Sequence, residues 1–115
     1  MRALAVHHVP VNVGDLEAAV SFYVDVLGLS PRDDRPAIGP GAWLDAGGQQ
    51  VHLIKGGQPT ARGQHFALLV DDIDAAVADL RRRNVDVSDA HPIGSGRQAF
   101  LSDPSGNLVE LHQAE

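Results

Sequence analysis

The sequence predicts an α+β protein made of two β-α-β-β-β modules, at about residues 1–56 and 63–115. The main observation is an internal repeat, in which residues 8–20 align with 65–77 and a later segment, 45–53, aligns with 103–111. Each copy opens with alternating apolar and polar residues, as in a strand with one buried face. Apolar residues at helical spacing follow, and then shorter strand-like segments separated by turns. Because a repeat indicates architecture more firmly than local propensity, we expect two similar modules in one domain.

The composition is that of one globular domain in a reducing compartment. The chain has 115 residues, too few for a second independent core, and its 43% apolar content is close to the globular average. It contains no cysteine, which excludes disulfides and thiolate metal ligands and fits the cytosol. A formal net charge of -6 disfavours binding to a phosphate backbone, and no apolar run reaches the length of a membrane span. We expect a cytoplasmic protein that binds neither nucleic acid nor membrane.

The first copy predicts a strand over residues 4–13 and then a helix. Asp15 stands where a carboxylate can accept hydrogen bonds from the first helical turn, and Gly28 is placed to end the helix. Two further strands, over 42–46 and 49–54, are separated by a Gly-Gly hairpin signal. The apolar residues at helical spacing are Leu16, Ala19, Val20, Tyr23 and Leu27.

The second copy predicts the same order of elements. A strand over 64–70 precedes a helix that Asp72 should cap. The helical apolar residues are Ile73, Ala76, Val77 and Leu80. Strand-like segments follow at 85–88, 98–102 and 107–113, the last after the turn Asp103-Pro104-Ser105-Gly106.

Four side chains of metal-ligand type lie on predicted strand faces that point away from the helices. Neighbouring side chains alternate across a strand, so the positions of the apolar residues identify the opposite face. On that face lie His8, His52, His65 and Glu110, and the repeat makes His8 the counterpart of His65 and His52 that of Glu110. If a twofold axis relates the modules, the four side chains can converge on one point.

Three imidazoles and one carboxylate suit a divalent ion such as Zn, Ni, Fe, Co or Mn, with one or two positions left for water or substrate. The sequence therefore predicts a metal site with these four ligands. His7 has the parity of the core residues and His91 precedes a proline in a loop, so neither is included. His112 shares the parity of Glu110 and is either a partner of that carboxylate or a surface residue.

Three motifs together cover nearly the whole chain. The first runs from His8 through Asp15-Leu16 and Phe22-Tyr23 to Val26-Leu27-Gly28-Leu29; the others are His65-Phe66-Ala67-Leu68 and Asp103-Pro104-x-Gly106-Asn107-x-x-Glu110-Leu111. In combination they resemble the vicinal oxygen chelate superfamily, the glyoxalase, bleomycin-resistance and extradiol dioxygenase group. The resemblance implies a half-open, metal-lined barrel of paired βαβββ modules. It also places His8, His52, His65 and Glu110 at the family's four metal-ligand positions.

The resemblance does not fix the reaction. Glyoxalase I enzymes usually have Glu at the position of His52, so lactoylglutathione lyase activity is not expected, and methylmalonyl-CoA epimerases commonly have Gln there. We expect a metal-dependent enzyme of lyase, isomerase or transferase type, in which the ion chelates neighbouring oxygens of a small substrate and stabilises an enolate or related oxyanion. Glu110 is the candidate general base, because a carboxylate can alternate between metal ligand and proton acceptor.

Residues at the barrel mouth are expected to line the substrate site. In the loop 94–97, the arginine could close over an anionic group, the alternative being a flexible hairpin with a solvated arginine. For the two aromatic candidates, the alternative is ordinary core packing. The candidates for lining are Trp43, Gln50, Arg97, Gln98 and Phe100.

Two other function classes stay open. The protein could sequester a drug or metabolite without catalysis, or it could be a structural dimer with a vestigial site. Retention of all four ligand-type residues favours the enzyme. Exposed sheet edges favour a homodimer, and the resemblance implies sites that are shared between its subunits.

Overall fold

The computed structural model of the protein describes residues 1–115 and contains two compact units, Met1–Pro59 and Thr60–Glu115. Each unit has one four-stranded mixed sheet and one helix, in the order β-α-β-β-β. The α+β fold with two βαβββ modules is therefore confirmed. No helix of the chain has the length and apolar character needed to cross a membrane.

The first unit begins with β1 (His8–Val13) and α1 (Leu16–Ser21), which continues as a π-helical turn (Phe22–Val26). Its sheet has the strand order β1-β4-β3-β2, with β1 parallel to β4 and the other pairs antiparallel. The remaining strands are β2 (Ser30–Pro31), β3 (Gly41–Ala46) and β4 (Gln49–Lys55).

The second unit repeats this topology, with β5 (Phe66–Leu69) followed by α2 (Ile73–Arg82). Its sheet order is β5-β8-β7-β6, and β5 is parallel to β8. The remaining strands are β6 (His91–Ile93), β7 (Gly96–Ser102) and β8 (Leu108–Gln113).

One face of each sheet is buried with the apolar face of its helix. In the first unit Tyr23 is fully buried, as are Leu44 and Leu53 of the sheet. In the second unit Ile73 and Val109 are fully buried in the same way. Because side chains alternate along a strand, this packing leaves the neighbouring residues of β4 and β8 on the opposite face.

Both helices begin at the aspartates that the sequence predicts as caps. The backbone N–H of Ala18 donates to Oδ1 of Asp15 over 3.0 Å, and that of Ala75 donates to Oδ1 of Asp72 over 3.0 Å. The first helical segment differs from the prediction of one α-helix to Leu27, since its last part is π-helical. The wider turn lets the adjacent Phe22 and Tyr23 rings both lie in the core, in an edge contact with centroids 5.5 Å apart.

Strand pairing shortens the predicted first strand. β1 begins at His8, which pairs with Gln50 near the start of β4, so the residues before it have no partner strand. Leu4 and Val6 are consequently exposed, although they continue the alternating pattern. The predicted strand at 64–70 is shortened in the same manner to β5.

The predicted strand at 85–88 is replaced by a single bridge between Val87 and Leu101. The fourth strand of the second sheet is β6 instead, which includes His91 and Pro92. A proline is tolerated there because β6 is an edge strand, whose outer side needs no N–H donor.

Replacing Asp72 with Ala should lower the free energy of unfolding by about 1 kcal/mol, because the N–H of Ala75 loses its acceptor. Asp71→Ala is the matched control, since the neighbouring carboxylate does not cap the helix. Urea denaturation followed by circular dichroism measures both variants. Equal losses in the two variants would contradict the capping role.

Candidate functional site

The outward face of the first sheet carries a stack of three rings, Trp43, His52 and His8. The centroids of Trp43 and His52 lie 4.5 Å apart and those of His52 and His8 lie 4.0 Å apart, with 12° between the planes in both cases. The sheet sets this arrangement, because Trp43 and His52 are directly opposed on β3 and β4. The structure thus brings His8 and His52 together, as the strand parity predicts.

The imidazole of His52 is held in a confined environment. The residue is only 9% exposed, and its Nε2 forms a hydrogen bond of 2.8 Å with Oε1 of Gln50. Burial lowers the pKa of His52, and the positive charges of nearby His8, His7 and the arginines of the site lower it further. The ring is therefore neutral at pH 7, which is the form that binds metals.

These rings form one wall of a cleft of about 540 Å³ within the first unit, which we call the first-unit cleft. Its volume is in the range of small-molecule sites. Trp43 and Gln50 line it, and whether they contact a substrate stays a prediction. The complete lining is His7, His8, Pro10, Arg32, Asp34, Arg35, Ile38, Trp43, Gln50, His52, Leu53 and Ile54.

Sequence reasoning missed two parts of this lining. Strand parity predicts that His7 faces the core, but this residue precedes β1 and is exposed, with its Nδ1 3.0 Å from Nδ1 of His8. Strand parity does not apply to it because the strand begins one residue later. Arg32 and Arg35 lie in the connection between β2 and β3, where no periodic pattern marks the direction of a side chain.

The two arginines of the cleft differ in their partners. Arg32 donates to Asp34 and to Asp45 over 2.7 to 3.0 Å, and these two hydrogen-bonded carboxylates raise its pKa. The same contact lowers the pKa of Asp34. Arg35 donates one hydrogen bond, over 2.7 Å, to the backbone carbonyl of Gly39, and it forms no ion pair.

The second unit brings together His65 and Glu110. Nε2 of His65 lies 3.0 Å from Oε1 of Glu110, and Nδ1 of the same ring lies 3.0 Å from the backbone carbonyl of Arg62. A carbonyl only accepts, so Nδ1 must carry a hydrogen, and in the neutral ring Nε2 then presents its lone pair to the carboxylate. Two lone pairs at this distance require a cation between them, either a proton or a metal ion.

A buried turn fixes the start of β8 and so the position of Glu110. Oδ1 of Asp103 accepts hydrogen bonds from the backbone N–H groups of Ser105 and Asn107 at 2.9 and 2.8 Å. The side-chain amide of Asn107 donates to Oδ2 of Asp103, and its oxygen accepts from the backbone N–H of Thr60. The aspartate and asparagine of this motif therefore position the strand and do not belong to the reactive site.

The face of β7 that carries Gln98 and Phe100 lies beside Glu110. These residues are opposed in register to His112 and Glu110, and the ring of Phe100 makes an edge contact with His65, with centroids 5.6 Å apart. His112 is a neighbour of the carboxylate, with its Nδ1 3.5 Å from Oε2 of Glu110. Gln98, Phe100 and His112 thus lie on the same face of the sheet as Glu110.

Arg97 lies elsewhere, which corrects its expected role. Its guanidinium donates to both carboxylate oxygens of Asp74 at 2.9 and 3.0 Å, and this contact lowers the pKa of Asp74. Arg97 and Phe100 lie three residues apart on β7, so their side chains point to opposite faces of the sheet. Arg97 therefore lies on the helix side, where it pairs with Asp74 of α2. Arg97 therefore does not line the Glu110 face. Its charge is paired with Asp74, so it is not available to bind an anion beneath the loop 94–97.

In the second unit, His65 and Glu110 fit two ligand positions around a divalent metal ion. In the chain no group of three or more His, Asp or Glu side chains is placed to hold an ion. The hydrogen bond from Nδ1 of His65 to a backbone carbonyl is the usual outer contact of a metal-bound histidine. Nε2 of His65 lies 3.0 Å from Oε1 of Glu110. This distance is close to the separation of two adjacent ligand atoms that bind one ion over about 2.0–2.2 Å each. Convergence of His8 and His52 with this pair on one ion stays a prediction.

The sequence profile of the Glyoxalase/Bleomycin resistance protein/Dioxygenase superfamily matches residues 5–111. The chain is a member of this superfamily. Mitochondrial methylmalonyl-CoA epimerase of Mus musculus is 34% identical over 128 residues, covering 94% of this chain and 72% of the relative. Lactoylglutathione lyase of Salmonella typhimurium is 28% identical over 123 residues, covering 94% of this chain and 91% of the relative.

A solved structure with the same fold belongs to a binding protein. TnmS3, an antibiotic binding protein from Streptomyces sp. CB03234, is 31% identical, and the similarity covers 100% of this chain and 99% of that one with a TM-score of 0.83. The superfamily relatives of this chain therefore include enzymes named as a lyase and an epimerase as well as an antibiotic binding protein.

The lowered pKa of His52 predicts a pH-dependent loss of stability in metal-free protein. Below its ordinary value of 6.5 the unfolded state binds more protons at this residue than the folded state, so stability is full above that pH and falls as the pH drops. His52→Gln should flatten the fall in the free energy of unfolding between about pH 7 and pH 5. Denaturation in the presence of a chelator measures this, with the exposed His91→Gln as control, and parallel pH profiles for wild type and His52→Gln would contradict it.

Proposed function

We propose that the protein is a metal-dependent enzyme of lyase or isomerase type that acts on a small substrate with two neighbouring oxygens. The site would be formed by His8, His52, His65 and Glu110. The named lyase and epimerase relatives support the reaction class, and the donor types support a divalent ion such as Zn, Ni, Fe, Co or Mn. The substrate would enter through the first-unit cleft.

One observation carries this proposal: the contact of Glu110 with His65. The hydrogen bond of Nδ1 to the carbonyl of Arg62 directs the lone pair of Nε2 at the carboxylate, so the contact is complete only with a cation between the two atoms. The side chain of Glu110 is 14% exposed and that of His65 is 25% exposed, so a small ion or a substrate proton can reach them. A protonated ring paired with Glu110 and a ring bound to a metal ion both satisfy this orientation, and metal titration separates the two.

The residues of the chain would then have separate roles in the reaction. A bound divalent ion would supply Lewis acidity, which stabilises negative charge as it develops on a substrate oxygen. Glu110 would accept the proton from the substrate carbon, with His112 beside its second oxygen. In the first unit, Trp43 and the apolar residues of the cleft would hold the substrate and exclude water.

A second candidate function is sequestration of a ring-containing small molecule without chemistry. The similarity to TnmS3 favours it, and so does the three-ring stack of Trp43, His52 and His8, which offers a flat aromatic surface. The two candidates differ in their metal requirement. Ligand binding unaffected by chelators would support sequestration, whereas loss of function on metal removal would support the enzyme.

Protein purified without an affinity tag should contain or take up close to one divalent ion per chain. Glu110→Gln should weaken the affinity for Zn²⁺ or Ni²⁺ by more than about 100-fold, since loss of an outer partner alone costs about 10–100-fold. Glu17→Gln, an exposed carboxylate on α1, is the matched control and should leave the affinity unchanged. Elemental analysis and calorimetric titration give both quantities.

Negligible metal after reconstitution would overturn the enzyme and leave sequestration or a vestigial site. Unchanged affinity in Glu110→Gln would place the metal site elsewhere on the protein.

We also propose a homodimer whose two sites are shared, with His8 and His52 of one subunit meeting His65 and Glu110 of the other. If so, mixing His8→Ala chains with Glu110→Ala chains should restore part of the metal binding, because in the heterodimer one site receives both lesions and the other receives none. Metal titration after subunit exchange measures the recovery, and native mass spectrometry verifies that heterodimers form. If the mixture binds no more metal than either variant alone although heterodimers form, each site is built within one chain.

A further inference from the structure

The first-unit cleft contains one cation whose charge is not offset by a carboxylate. Arg32 shares its charge with Asp34 and Asp45, and Asp34, the one carboxylate of the lining, is committed to that contact. Arg35 forms no ion pair, and its single hydrogen bond goes to the neutral carbonyl of Gly39. The histidines of the lining add no fixed negative charge. The cleft is therefore a site with unmatched positive charge at Arg35.

The guanidinium of Arg35 is held in place by the backbone around it. A Cβ at Gly41 would lie 2.6 Å from Nη2 of Arg35 and 2.4 Å from the carbonyl oxygen of Leu53, so only glycine leaves room for this packing. Nε of Arg35 is buried and has no hydrogen-bond partner. An arginine that is held in place, and that makes one hydrogen bond within the chain and no ion pair, is suited to a planar oxyanion.

Apolar and aromatic side chains form part of the same lining. Ile38 and Ile54 are 64% and 44% exposed, and they line the same cleft as the ring of Trp43. Exposed apolar side chains grouped around a concave surface indicate a ligand with an apolar part. A single molecule that matches both features has a ring or apolar group at one end and an anionic group at the other.

We propose that the first-unit cleft binds small organic acids, with a carboxylate or phosphate on Arg35 and an apolar or aromatic group against Trp43. This inference rests on the proposed function in taking the cleft as the substrate site, and it adds the chemical class of the substrate. Arg35 is then the residue that selects anionic over neutral ligands. Its contribution needs no metal ion.

The test is a fluorescence titration, because Trp43 is the only tryptophan of the chain and lines the cleft. Phenylacetate and phenylphosphonate are the anionic probes and phenylacetamide is the neutral one. The measurement uses metal-free protein at about pH 8, above the ordinary pKa range of an imidazole. At least one acid should bind about tenfold or more tightly than the amide.

Arg35→Gln should remove this preference without changing the affinity for the amide, and Arg35→Lys should keep part of it. Arg82→Gln on α2 is the matched control, because it removes the same charge from an exposed position outside the cleft, and it should behave as wild type. Quenching of Trp43 by iodide should also fall in Arg35→Gln, whereas quenching by neutral acrylamide should not. Circular dichroism verifies that the variants are folded.

The inference is overturned if neither acid binds, if acid and amide bind equally, or if Arg35→Gln retains wild-type acid preference and iodide quenching. These results are separate from the fate of the proposed function. Acid binding in a protein that takes up no metal would keep the inference and overturn the enzyme. Normal metal uptake in a protein that does not prefer acids would overturn the inference and leave the proposed enzyme standing.

Discussion

Each unit of this protein has one helix, and a single helix covers only one of the two faces of a four-stranded sheet. In the first unit Ala19 and Tyr23 are fully buried together with Leu44 and Leu53 of the sheet. Burial of such side chains is the main source of stability for the unit. Because strand residues alternate, the same packing sends His52, between the buried Val51 and Leu53, to the opposite face.

The two units use that second face differently, although they share a topology. In the first unit, aromatic stacking and a cleft surround His8 and His52, and the lowered pKa of His52 keeps its ring neutral. In the second unit a histidine faces a carboxylate, and the contact between His65 and Glu110 calls for a cation. One unit thus offers imidazole nitrogens and a cleft for a ligand, and the other offers a carboxylate that can also accept a proton.

The charged residues that the fold holds near these faces have distinct roles. Arg97 and Asp74 connect β7 to α2 on the helix side, and Arg32 connects the chain after β2 to β3 through Asp45. Exposed pairs of this kind contribute little to stability, but they fix where their charges lie. Arg35 has no such partner, so its charge is the one that the first-unit cleft presents to a ligand.

The sequence by itself determined the module order, the caps at Asp15 and Asp72, and the face on which His8, His52 and Glu110 lie. All of these depend on local periodicity or on contacts within a few residues. Only the tertiary structure decided where β1 begins, that β6 and not residues 85–88 forms the edge strand, and that Arg97 turns to α2 while His7 and Arg35 enter the cleft. These features depend on which residues a partner strand or helix places opposite them, and that information is not contained in the spacing of residues along one segment.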